Sequence, residues 1–94
     1  MSAGKLSGKV ALVTGGAQGL GAALCERLAQ EGCAVVVMDL NAAGAEKLAA
    51  ELAPKYGVKC LGLGCDITEE ASVAAGFAQV KETFGRLDIV VSNA

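Results

Sequence analysis

The chain has no histidine, no tryptophan, one tyrosine and one proline among its 94 residues, and aromatics make up 3% of it. Without an imidazole there is no His-based acid–base pair, which excludes nucleophile activation by a serine–histidine couple. The four cysteines, Cys25, Cys33, Cys60 and Cys65, form no C-x-x-C pair. That spacing, with histidine missing, leaves no zinc or disulfide framework, and the thiols read as small apolar side chains in a reducing compartment. The eight Lys and Arg never run together, the formal charge is −2 and the pI is near 5.0. A DNA or RNA partner is therefore not expected. No apolar run approaches the roughly 20 residues of a membrane span, and the stretch 1–9 has no apolar secretory core. The reading is a cytoplasmic chain with no membrane partner.

What the chain has is glycine and aliphatic residues: 53% is apolar and 19% charged, which fits one globular domain. Its organising stretch is Thr14-Gly15-Gly16-Ala17-Gln18-Gly19-Leu20-Gly21, set between the apolar run Val10–Val13 and a helical pattern starting near Leu20. A strand turning sharply into a helix points backbone N–H groups and the positive end of the helix dipole at one spot, which attracts an anion. Gly15 serves the turn off the strand, Gly19 lets a diphosphate approach the main chain, and Gly21 lets the helix lie close on the sheet. Asp39 closes the next apolar run, Ala34–Met38. A carboxylate about 20 residues past the glycines, at the tip of the second strand, is placed to accept both ribose hydroxyls of an adenosine. Taken singly, the glycines would also serve a tight turn, and Asp39 a solvated strand end or a helix cap.

Taken in order, the chain alternates strand and helix patterns. Strands are expected at 9–14, 34–39, 58–65 and 87–91. Between them, Leu20, Leu24 and Leu28 form one stripe of a first helix ending at Gly32. A second helix over 43–55 carries Leu48 and Leu52 and is ended by Pro54 and Gly57. Thr68 reads as the N-cap of a third helix, with Glu69 and Glu70 in its first turn and Val73, Phe77, Val80 and Phe84 on its buried stripe. Alternation of this kind implies right-handed crossovers and a parallel sheet, an α/β fold.

Thr14–Gly21 after the first strand, Asp39 after the second, Asp66 after the third and Ser92-Asn93-Ala94 after the fourth together resemble the classical short-chain dehydrogenase/reductase family. The Gly85-Arg86-Leu87-Asp88-Ile89-Val90-Val91 stretch is similar to what that family carries there. The resemblance covers all 94 residues. It implies a Rossmann-type parallel sheet of order 3-2-1-4 with helices on both faces, half of a doubly wound domain, and a nicotinamide dinucleotide across the carboxyl edge. The residues it assigns to that cofactor are Gly15, Gln18, Gly19, Leu20, Gly21, Asp39, Leu40, Asp66, Ile67, Asn93 and Ala94. Asp66 would bond the adenine amino group, Ile67 would line the adenine slot, and Asn93 and Ala94 would lie under the adenosine ribose. Ser92 departs from the family's first Asn in that motif. A 2′-phosphate beside Asp39 would set two anions together, and Gln18, Leu40 and Asn41 supply no cation, so NAD is favoured over NADP.

The family's general-acid tyrosine, with a lysine four residues on, has no counterpart. The only tyrosine, Tyr56, is followed at that distance by Cys60, and reads as an amphipathic cover residue. Ser72, read as a helix-surface serine, and Ser92 have no base beside them. The chain is thus read as the amino-terminal, cofactor-binding portion of an alcohol- or ketone-converting dehydrogenase, inactive alone. A non-catalytic dinucleotide-binding module and a folding unit whose glycines serve only the turn stay open. With two helices expected on one sheet face and one on the other, much apolar strand surface should be left wet. Self-association, or a further carboxyl-terminal half, would cover it.

Overall fold

A computed structural model of the chain describes residues 5–93. Its elements are β1 (Val10–Thr14), α1 (Gly19–Gln30), β2 (Ala34–Asp39), α2 (Ala42–Tyr56), β3 (Cys60–Gly64), α3 (Glu70–Phe84) and β4 (Ile89–Ser92). The strands pair in parallel in the order β3-β2-β1-β4, as the resemblance implies. Both faces of the central strands are covered, which is why they are apolar throughout rather than alternating. Ala11, Val13, Val35 and Val37 pack with α1 and α2 through Cys25, Ala29, Ala45, Ala49 and Leu52. Val10, Leu12, Val36 and Met38 pack on the opposite face with Leu63, Cys65 and Val80.

Close backbone approach, more than side-chain volume, decides which helix positions are buried. On α1 the buried residues are Gly21, Cys25 and Ala29, one step round from the leucine stripe. Leu20 is 69% exposed, while Leu24 and Leu28 pack at the margin of the core. The cause is visible at Gly21, where a Cβ would stand 1.9 Å from the Gly15 carbonyl oxygen. Only glycine fits there against the main chain of the loop that follows β1. On β3, a Cβ at Gly62 would lie 2.5 Å from the Ala45 carbonyl group, so α2 rests directly on that strand.

Other boundaries differ for local reasons. Pro54 does not end α2, which runs on to Tyr56 and stops at the left-handed Gly57. In the last turn a proline forfeits one amide bond, here to Ala50, and Ala50 is solvent-exposed, so water can reach that carbonyl. The amides of Gly57 and Val58 both turn back to the Ala53 carbonyl, which delays β3 to Cys60. Thr68 is not the N-cap of α3. That place belongs to Glu69, and Thr68 instead donates its hydroxyl to Asp66 Oδ1 at 2.6 Å. Phe77 is 37% exposed, and Gly76 takes the position against the sheet, a Cβ there lying 2.9 Å from Met38 Cε.

The face carrying α3 is drier than its single helix suggests. Val80 reaches the sheet, and Val73, Phe84 and Leu87 fill in around it, leaving Leu12 and Val36 fully buried. Among the described strand residues, Val90 on β4 is the large apolar side chain that stays exposed, at 53% and beside Leu12 in register, while Leu61, Ile89 and Val91 are partly buried. Outside the core, Glu26 ties α1 to α2: its Oε2 accepts from Tyr56 OH and from Lys55 Nζ, each at 2.6 Å. Among the described residues no helix is long and apolar enough to cross a membrane.

Candidate functional site

The chain leaves β1 toward β2 on one side, while β4 lies on the other, so the strand order reverses at the carboxyl end of β1. In open α/β sheets that reversal opens a crevice. The loop between β1 and α1 fills its floor. Gly15 and Gly19 take positive φ of 63° and 60°, a backbone that glycine adopts without strain. The loop is tied to β2 twice: Gly16 N–H donates to the Met38 carbonyl at 3.2 Å, and Ala17 N–H to Asp39 Oδ2 at 3.0 Å.

Beyond those two ties, the amides of Gln18, Gly19, Leu20 and Gly21 bond to no group among the described residues. The first intrahelical partner appears at Ala22, whose N–H reaches the Gln18 carbonyl. No side chain caps α1, and its first turn holds no acidic residue. The start of α2, in contrast, is capped by Asn41, whose Oδ1 accepts from Gly44 N–H at 3.0 Å. Among the described residues, then, no side chain caps the positive end of the α1 dipole, and the nearest carboxylate, Asp39, bonds the loop at Ala17 rather than the helix start. Gln18, Gly19 and Leu20 are exposed there, and a Cβ on Gly19 would meet nothing within 4 Å.

Beside the loop lies a groove of about 260 Å³. Met38 and Cys65 form its floor; Gly15, Asp39, Leu40, Asp66 and Ile67 form its walls. Leu40 and Ile67 are 75% and 47% exposed, an apolar pair open to solvent next to two carboxylates. Each carboxylate closes its strand in the same way. Asp39 Oδ1 accepts from Asn41 N–H at 2.9 Å, and Asp66 Oδ1 from Thr68 N–H at 3.0 Å, two residues on in each case. The Thr68 hydroxyl and amide hold the Asp66 carboxyl below the usual range. Each Asp39 oxygen is used once, so each keeps a lone pair for an incoming hydroxyl.

The structure thus brings Gly15, Asp39, Leu40, Asp66 and Ile67 into one groove, while Gln18, Gly19 and Leu20 are exposed on the adjoining loop and helix start, outside the groove lining. Gly21 is buried beneath, where it permits contact of helix and loop. Asn93 is also beneath: its Nδ2 donates to the Gly15 carbonyl at 3.2 Å, and a Cβ on Gly21 would lie 2.8 Å from it. Ala94 lies outside the described residues. Residue-type reasoning overlooks three contributors. Ala17 acts through its backbone amide, which carries no residue-type signal. Thr14 Oγ1 joins β1 to β4 by accepting from Asn93 N–H at 3.0 Å and donating to the Val91 carbonyl at 3.4 Å. Ser72 is not a plain surface serine, since its Oγ accepts from Asp66 N–H at 3.0 Å and anchors the end of β3 to α3. A polar residue two places after each strand-end aspartate was the available signal for the paired turns.

The thiols of Cys25, Cys33 and Cys60 are poor nucleophiles. Burial, with a smaller contribution from Cys60, pushes Cys25 up to about 12, and burial also raises Cys33 and Cys60.

A parallel 3-2-1-4 sheet with a glycine turn at its reversal point and a carboxylate on the adjacent strand places the protein in the Rossmann class of α/β folds. A family model described as short chain dehydrogenase matches residues 9–94, and the chain belongs to that family. It is 48% identical over 90 residues to a D-threitol dehydrogenase of Mycolicibacterium smegmatis, covering 96% of this chain and 34% of that protein. Its structure superposes on a sorbitol-6-phosphate 2-dehydrogenase from Erwinia amylovora with a TM-score of 0.86 at 49% identity, covering 89% of this chain and 33% of the other. An NAD+-bound xylitol dehydrogenase matches with a TM-score of 0.86 at 37% identity, over 92% and 33% of the two chains. The chain spans about a third of the length of each of these relatives.

Proposed function

We propose that this chain binds NAD(H), serving as the cofactor-holding part of an oxidoreductase that interconverts an alcohol and a ketone. The observation that carries the reading is the joint placement of an uncapped, acid-free helix start and the Asp39 carboxylate, which is bonded to the same loop. The amides of Gln18 to Gly21 would take the diphosphate, and the second lone pairs of Asp39 the two hydroxyls of the adenosine ribose. Leu40 and Ile67 would enclose the flat adenine ring, with Asp66 accepting from its amino group. Asn93 would act from below, by fixing the Gly15 carbonyl and so the turn of the loop.

NAD is the preferred form in this reading because a 2′-phosphate would meet the Asp39 charge and, among the described residues, no lysine or arginine lines the groove. Supporting it, one structural relative is an NAD+-bound xylitol dehydrogenase. The hydride chemistry would belong to a longer protein, because these 94 residues contain no tyrosine with a lysine four positions on.

Calorimetric titration with NAD, NADP and AMP tests the proposal. NAD and AMP should bind, NADP more weakly, and Asp39→Ala should abolish the preference for NAD over NADP. Saturating NAD, at about a hundred times its Kd, should stabilise the fold by about 2.7 kcal/mol. An unchanged unfolding midpoint in NAD would refute the reading.

A further inference from the structure

The Asp39 carboxylate is held between two amides of the chain itself: Ala17 N–H from the glycine loop at 3.0 Å and Asn41 N–H from its own strand end at 2.9 Å. We infer that Asp39 is a positioning residue for the diphosphate cradle, and not only a grip for a ribose. This inference takes its consequence from the dinucleotide reading above.

Ala17 sits between Gly15 and Gly19, whose positive φ marks the two points where the loop reverses. Between those pivots the ties to β2 are the neutral Gly16–Met38 bond and the Ala17–Asp39 bond. The second is charge-assisted and the stronger of the two. Because Asn41 N–H occupies the other oxygen, the carboxylate cannot swing away from Ala17 without breaking a second bond. On the far side of Ala17 stands the first turn of α2, where a Cβ on Gly44 would come within 3.4 Å of the Ala17 methyl. The next amides along the chain, Gln18 to Gly21, are those with no partner among the described residues, so fixing Ala17 fixes their aim.

The inference has a sign that a ribose-only role does not share. A carboxylate near an anion site repels the anion, so removing its charge should by Coulomb's law strengthen binding of inorganic pyrophosphate. If Asp39 holds the loop, its removal should weaken that binding, although pyrophosphate has no ribose to grip.

The test is amide hydrogen exchange by NMR on the ¹⁵N-labelled chain, with pyrophosphate titrations, for wild type, Asp39→Ala and Asp39→Asn. In Asp39→Ala the Ala17 amide should exchange faster by about tenfold or more, as expected on losing a bond to a charged acceptor, while Leu12 and Val36 keep their protection. Pyrophosphate should bind about tenfold more weakly. Asp39→Asn keeps one acceptor oxygen and should fall between the two. Unchanged exchange at Ala17, or equal or tighter pyrophosphate binding by Asp39→Ala, overturns the inference. Exchange is read without any ligand, so it separates the two claims. Wild type that ignores NAD while its Ala17 protection depends on Asp39 refutes the cofactor reading and supports the latch. Wild type that binds NAD with Ala17 indifferent to Asp39 does the reverse.

Discussion

Replacing Gly21 by alanine tests the central packing argument. The new Cβ would fall 1.9 Å from the Gly15 carbonyl oxygen and 2.8 Å from Asn93 Nδ2. The Asn93 amide can turn aside; the carbonyl cannot, being part of the loop main chain. Relief requires α1 to move off the sheet, taking Cys25 and Ala29 with it. Overpacking of this kind costs about 1–3 kcal/mol, and contact with backbone belongs at the upper end. Alanine recovers about 1 kcal/mol of helix propensity. The net loss should be about 2 kcal/mol, which lowers Tm by about 8–16 °C in a domain of this size. Thermal and urea unfolding followed by circular dichroism read it directly. Gly19→Ala is the matched control. Its Cβ meets nothing within 4 Å, so its cost is the left-handed backbone alone, about 1–2 kcal/mol. A Gly21→Ala protein as stable as wild type would refute the claim that backbone contact sets the helix position.

Gly62→Ala should destabilise by about 2–3 kcal/mol, because its Cβ would lie 2.5 Å from the Ala45 carbonyl group; a midpoint shift within error would refute it. Acid should weaken the fold. Glu26, Asp66 and Asp88 are held below their ordinary values, chiefly by Lys55, Thr68 and Arg86 respectively. Their contribution is complete above the unfolded carboxylate range, about pH 4, and is lost as pH falls through the lowered folded values. The urea midpoint should therefore drop as pH falls from about 5 to about 3; a midpoint that holds or rises would contradict the assignment. At about pH 8 the Cys25 thiol should react with a disulfide reagent only as fast as the protein opens, given its pKa of about 12 and full burial. Rapid reaction of Cys25 in the folded state would count against that environment.

The order of elements was readable because apolar runs of strand length alternate with runs of helical period, and β2 falls on the residues expected of it. The buried face of α1 was not. The leucine stripe marks the helix period but not which residues meet the sheet, which here accepts hydrogen, methyl and thiol. Pro54 misled for a related reason, since a proline in the last turn next to an exposed carbonyl is tolerated. At the candidate site, Gly15 and Asp39 stand out through their spacing, whereas Asp66 is singled out only by the family resemblance. Ala17 does not stand out, because a backbone N–H belongs to nearly every residue. Thr68 differs because a hydroxyl two places after an aspartate can serve either a helix start or that aspartate, and only the turn geometry decides; Ser72 differs because its hydroxyl meets the Asp66 amide across six residues, a contact made only by the fold.

The row of small groups beneath α1 has a consequence for precision. Long side chains in a core act as springs, with rotamers that absorb a few tenths of an ångström of misfit. Here the gap between helix and sheet is spanned at Gly21 and Ala29 by atoms fixed by covalent geometry, and at Cys25 by a side chain with a single rotatable bond. The tip of the helix therefore behaves as a hard stop, and its location should be nearly indifferent to substitutions elsewhere in the interior.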